Sequence, residues 1–141
     1  MIVSYVNKEV RCPFSLQFFK DVIEKAAQFE KKIAGEVEVV VVGDSRIKAL
    51  NRRYRKKNKV TDVLSFAWRE DKKMPGKMLG QIYICYPQIV RQAKEFKIKI
   101  KEELTRMLIH GLLHLVGYDH TKIAEEKKMF DLQEKIIKSI L

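Results

Sequence analysis

The run Glu36-Val37-Glu38-Val39-Val40-Val41-Val42 constrains the fold more than any other segment. Valine's branched side chain suits a pleated surface better than a helix. The polar residues stop at Glu38, so the second half of this strand has no face to offer water. Both of its faces must be covered, which calls for a sheet with helices packed on it. At 141 residues the chain is long enough to bury a real core, and one domain over residues 1–141 is expected.

The rest of the chain supplies the other layers. Ile2 to Asn7 reads as a strand. Phe14 to Lys32, after Pro13, spaces Leu16, Phe19, Val22, Ile23, Ala26 and Phe29 as the packing face of a helix that Gly35 closes off. Phe18 and Phe19 read as core within it. Asp44 or Ser45 is placed to cap a helix running to about Tyr54. Thr61 to Trp68 and Leu79 to Tyr86 read as strands, and Arg69 to Lys77, with Pro75-Gly76, as a mobile polar loop. Pro87 opens a helix to about Phe96. Lys101 to Val116 and Thr121 to Leu141 close the chain as helices, with Ile123, Phe130, Leu132, Ile136 and Ile137 expected to pack and Glu125-Glu126 to sit near the preceding turn. The expectation is an α+β fold, a small mixed sheet of about four strands packed with about five helices.

His110-Gly111-Leu112-Leu113-His114-Leu115-Val116-Gly117-Tyr118-Asp119-His120 holds all three histidines of the chain. Residues four apart share a helix face, so His110 and His114 can aim at one point. Gly117 allows the positive φ that ends a helix and turns the chain back, returning His120 as a third ligand. Three imidazoles leave one position open on a divalent ion such as zinc, as a catalytic site requires. This H-x3-H-x5-H spacing matches the zinc helix of metzincin proteases, but Gly111 stands where those enzymes carry their glutamate base. A protease reading loses its proton acceptor. Asp119 is either an imidazole-orienting carboxylate or a turn residue; Thr61 and Asp62 read first as turn and cap residues, with Asp62 the weaker of the two carboxylate candidates.

Charge points to the partner. Lys plus Arg number 29 against 18 Asp plus Glu, a formal net charge of +11. Such a surface suits polyanions, although a lysine-rich solvated surface has the same composition. The run Arg46 to Lys59 is more specific, with eight basic residues and no acidic one, a pattern that gains affinity by displacing counterions from phosphates. Cys12 and Cys85 show neither a metal spacing nor a secreted disulfide pattern. No segment reads as a signal peptide or membrane span, so a soluble, cytoplasmic protein is expected.

The histidine block resembles the signature of the YbeY family, bacterial endoribonucleases associated with ribosomal RNA maturation. Two further blocks agree in order and spacing: Leu50-Asn51-Arg52-Arg53-Tyr54-Arg55 with Thr61-Asp62-Val63-Leu64-Ser65-Phe66, and Leu79-Gly80-Gln81-Ile82-Tyr83-Ile84-Cys85. Gln81 departs from the family pattern, which usually has an acidic residue there. The resemblance covers about residues 37 to 137. It implies a metal-dependent endoribonuclease specific for single-stranded RNA, acting in 16S rRNA 3′-end processing and ribosome quality control. It also implies ribosomal particles, ribosomal proteins or assembly factors as partners, and it singles out Arg55 as an active-site residue. The nucleophile is then water on the metal or the RNA's own 2′-hydroxyl. A metalloprotease-like hydrolase with a displaced base, or a ribosome-associated binding factor with a structural metal, are the other readings.

Overall fold

The computed structural model describes residues 1–68, 77–119 and 122–141. Among these residues the chain runs β1 (Ile2–Lys8), α1 (Leu16–Phe29), β2 (Gly35–Val42), α2 (Asp44–Arg55), β3 (Val63–Ala67), β4 (Met78–Cys85), α3 (Tyr86–Phe96), α4 (Ile100–Leu115) and α5 (Ile123–Ile140). The sheet has the order β1-β2-β4-β3, parallel except for β3, which pairs antiparallel with β4. This is the mixed α+β architecture expected. Residues 69–76 of the expected polar loop lie outside the described residues.

The valine strand sits in the interior, as its composition demands. Val37, Val39 and Val41 turn to the main core, where Phe19 and Ile23 of α1, Leu104, Leu108 and Leu112 of α4, and Ile136 of α5 join them. Val40 and Val42 turn to the opposite face and pack with Ile47 and Leu50 of α2, Leu64 and Cys85. The helix α4 lies at the centre of the larger core, with nine of its residues buried.

Several boundaries fall elsewhere than the sequence predicts. Ser15 caps α1, its hydroxyl accepting the Phe18 N–H at 3.1 Å, so Phe14 stays outside the helix, its ring tilted against Phe18 and edgewise to Tyr86. The N-cap of α2 is Gly43, neither Asp44 nor Ser45. Asp44 instead ties two helices together, because both of its carboxylate oxygens accept from Arg91 of α3, at 2.7 and 3.1 Å. That guanidinium holds the Asp44 carboxyl below its ordinary pKa. Leu16, Ile123 and Phe130 are exposed, not packed. The two α5 residues lie off the face that α5 turns to the core, which is formed by Met129, Gln133, Ile136 and Ile137.

The two sets of apolar residues should respond differently to truncation. Leu108→Ala, at a fully buried position, is expected to lose about 2–5 kcal/mol of stability. Ile123→Ala should stay within roughly 0.5 kcal/mol of the parent. Urea unfolding midpoints followed by circular dichroism would measure both.

Candidate functional site

The end of α4 positions the first two histidines. Val116 leaves helical geometry and Gly117 follows at φ 102°, the conformation its sequence position calls for. The Gly117 N–H donates to the His114 carbonyl at 3.1 Å, and the Tyr118 N–H donates to the Leu113 carbonyl at 3.0 Å. These two bonds form the Schellman arrangement, which satisfies helix-end carbonyls and reverses the chain. The reversed segment is anchored at a distance, because the Tyr118 hydroxyl donates to the Glu30 carboxylate at the end of α1 at 2.5 Å. That hydrogen bond pushes the Tyr118 phenol up to about 12.

The turn also fixes an imidazole. His114 Nδ1 lies 3.0 Å from the Tyr118 carbonyl oxygen. A carbonyl only accepts, so Nδ1 carries a proton, and in the neutral imidazole Nε2 is then the nitrogen with a lone pair to offer an ion. His110 is oriented from α5, where Gln133 Oε1 lies 2.9 Å from its Nδ1. Gln133 is itself buried, and its Nε2 donates to Glu134 at 3.3 Å. Glu134 in turn accepts two hydrogen bonds from Arg106 of α4, each 3.1 Å long. Burial would raise the Glu134 carboxyl, but the Arg106 and Gln133 hydrogen bonds outweigh it and leave it below its ordinary value. A chain from Arg106 through Glu134 and Gln133 thus turns the amide oxygen, not the amide nitrogen, toward His110.

With both Nδ1 atoms held, the two Nε2 atoms converge to 3.0 Å. Two nitrogens on a tetrahedral zinc stand about 3.3 Å apart, given Zn–N near 2.0–2.1 Å. The pair therefore fits a shared cation. His120, the third expected ligand, lies outside the described residues, and among the described residues no cluster of three metal-binding side chains forms. Neither Nδ1 partner was legible in the sequence. Gln133 is 23 residues from His110, and the other partner is a backbone carbonyl.

His110 and His114 open into a cleft of about 980 Å³ whose wall also includes Arg55, Lys57, Lys59, Asp62 and Asp119. The basic run and the histidine pair are thereby brought together. The cleft follows the outer edge of β3. Cys85 N–H donates to the Asp62 carbonyl and Trp68 N–H to the Leu79 carbonyl, so alternation turns the backbone groups of Val63, Ser65 and Ala67 away from β4. The Ser65 carbonyl on that edge accepts a hydrogen bond from Arg55 Nη2 at 2.9 Å. The guanidinium lies 5.7 Å from the Phe66 ring centre, within cation–π range. Asp62 serves as the turn residue expected, accepting the Val63 N–H at 2.7 Å.

Gly111, at the position of the metzincin glutamate, faces the sheet. A Cβ there would stand 2.9 Å from Ile82 Cγ2 and 3.1 Å from Ser65 Oγ. The same approach lets the Ser65 hydroxyl donate to the Gly111 carbonyl at 3.1 Å. Any side chain at this position would have to displace Ile82 from its first carbon onward. Gln81 lies away from the cleft wall, opposite Glu38 on β2, and donates to its carboxylate at 2.6 Å. An acidic residue at 81 would face a like charge directly across the strands, which the amide avoids.

Comparison with known proteins places these features. The family model described as Endoribonuclease YbeY matches residues 5–141. A protein named Endoribonuclease YbeY from Ureaplasma urealyticum serovar 10 is 46% identical over 99 residues, a match covering 70% of this chain and 63% of that protein. One of the same name from a Sulfurihydrogenibium species is 39% identical over 133 residues, covering 93% of this chain and 88% of the other. A solution structure from Thermotoga maritima superposes with a TM-score of 0.66 at 31% identity, over 96% of this chain and 87% of that one.

Two measurements probe this geometry. Gly111→Ala should destabilise the protein by roughly 1–2 kcal/mol, because crowding against the buried Ile82 exceeds the helix propensity gained; a thermal melt at fixed pH would read it. The folded state raises the Tyr118 pKa above its ordinary 10.0, so with Glu30 ionised the stabilisation from the Tyr118–Glu30 contact is full from neutral pH up to pH 10 and fades as pH rises toward 12. Glu30→Ala should return the phenol's titration toward 10, visible in tyrosinate absorbance.

Proposed function

Because the chain belongs to the endoribonuclease YbeY family, we propose that this cleft hydrolyses phosphodiester bonds of single-stranded RNA, using a divalent ion, zinc in our reading, held by His110, His114 and His120. The substrate in this proposal is ribosomal RNA during maturation and quality control of the ribosome, in the cytoplasm. One observation carries the reading: converging imidazoles and the Arg55 guanidinium line one basic cleft.

The ion would supply Lewis acidity, acidifying a water and drawing charge from a phosphoryl oxygen. Arg55, fixed by the Ser65 carbonyl and the Phe66 ring, presents its planar donor fork to a phosphodiester and stabilises the charge that grows there. Lys57 and Lys59 draw the RNA backbone in by counterion release. The Tyr118 carbonyl and Gln133 keep each Nδ1 protonated, so that each Nε2 can serve as a ligand. Gly111 stands where the metzincin glutamate next to the first histidine takes the proton, so that route is closed. Acceptors left in the cleft are Asp119 and Asp62, which both line it, and the phosphate itself; with 2′-hydroxyl attack the RNA supplies its own nucleophile. Products separate the routes, since a cyclic phosphate marks attack by the 2′-hydroxyl.

Purified protein should carry near-stoichiometric divalent metal and cleave unstructured RNA, with cleavage lost on chelation. His114→Ala is expected to remain folded and inactive. Arg55→Ala should retain its metal while kcat falls roughly 10²–10³-fold. Gln133→Met should weaken metal affinity about 10–100-fold, read by competition with a chromophoric chelator. Metal-replete protein that leaves every unstructured RNA intact would end the ribonuclease proposal.

A further inference from the structure

His110 also belongs to a second cavity, of about 600 Å³, on the side of α4 that faces α5. Its walls are largely apolar, formed by Met107 and Met129 with Ile123 and Phe130, while Glu126 and Lys127 add charged groups. Ile123 is 89% exposed and Phe130 58% exposed, large apolar side chains left in water beside a polar site. The imidazole of His110 stands between this slot and the basic cleft, since it lines both. A ligand bound across His110 therefore meets cations on one side and an apolar, aromatic wall on the other.

A nucleotide has that division, with an anionic phosphate joined through ribose to a flat base. We infer that the slot holds an unpaired nucleobase of the RNA next to the phosphate being cut, with Phe130 as the surface on which the base rests. This rests on the ribonuclease reading of the cleft and extends it to the choice of substrate. The volume lies within the range of sites that take small molecules. Bases stack on exposed aromatic rings with little regard to sequence. Glu126 supplies an acceptor and Lys127 a donor for the base edge. A base committed to a duplex cannot enter, so the slot selects single strands. A second copy of the chain is a poorer occupant, because two molecules each carrying a formal net charge of +11 repel.

The test compares the metal-loaded protein with Phe130→Ala and Phe130→Trp in steady-state cleavage of a short unstructured RNA, and of the same RNA made abasic at each position in turn. Circular dichroism and bound metal should be unchanged in both variants, since residue 130 is exposed. Phe130→Ala should raise KM roughly five- to a hundredfold on the intact RNA, with kcat less affected, and Phe130→Trp should restore it. An abasic site at the position that occupies the slot should raise the parent's KM and remove the difference between parent and Phe130→Ala. An unchanged KM in Phe130→Ala overturns the slot while leaving the ribonuclease reading intact. So does an equal loss at every abasic position, or a parent dimer that dissociates in Phe130→Ala by sedimentation. Absence of cleavage by the parent overturns the ribonuclease reading first, and the slot with it.

Discussion

The site depends on how closely α4 approaches the sheet. Gly111 lets the helix backbone come down against Ile82 and Ser65, and a hydrogen bond from the Ser65 hydroxyl to the Gly111 carbonyl registers helix against strand. Ser65 belongs to β3, whose outer edge forms one wall of the cleft, and its own carbonyl holds Arg55. One residue of β3 therefore sets both the height of the histidine helix and the position of the arginine. The missing side chain at 111 and the missing glutamate base are the same fact seen from packing and from chemistry.

A second set of contacts decides which way the histidines look. Helical spacing brings two imidazoles to one face but leaves their rotation and tautomer open. A backbone carbonyl settles both for His114, and it is available only because the Schellman turn folds Tyr118 back and Glu30 anchors it. The equivalent service to His110 comes from α5, through a buried amide whose orientation is dictated by Glu134 and Arg106. The convergence of the nitrogens is thus a tertiary property that several separate elements sustain.

The layers of the fold were legible because they follow from local composition. The valine run requires cover on both faces, and α1 and α4 on one side with α2 on the other provide it. The turn at Gly117 was legible for the same reason, as was the shared face of His110 and His114. Arg55 was indicated by family resemblance and not by its chemistry, since the run around it holds many cations. Gln133 gave no signal: a glutamine on an amphipathic helix resembles a surface residue until the partner helix is in place. Ile123 and Phe130 misled in the opposite sense, because periodicity reports that a helix has an apolar face without saying how much of that face another element covers. The cap at Gly43 was not legible either, nor was the pairing of the Asp44 carboxylate with an arginine 47 residues away.

The position of β3 at the end of the sheet carries a cost that Arg55 offsets. An unfilled strand edge is a template on which another extended chain can lay itself. The arginine occupies one of its outward carbonyls, and the lysines along the cleft keep like-charged neighbours at a distance. The same guanidinium thus guards the chain against sticking to copies of itself. A lineage that traded it away would have to keep its strand edge from aggregating by some other means, quite apart from any loss of chemistry.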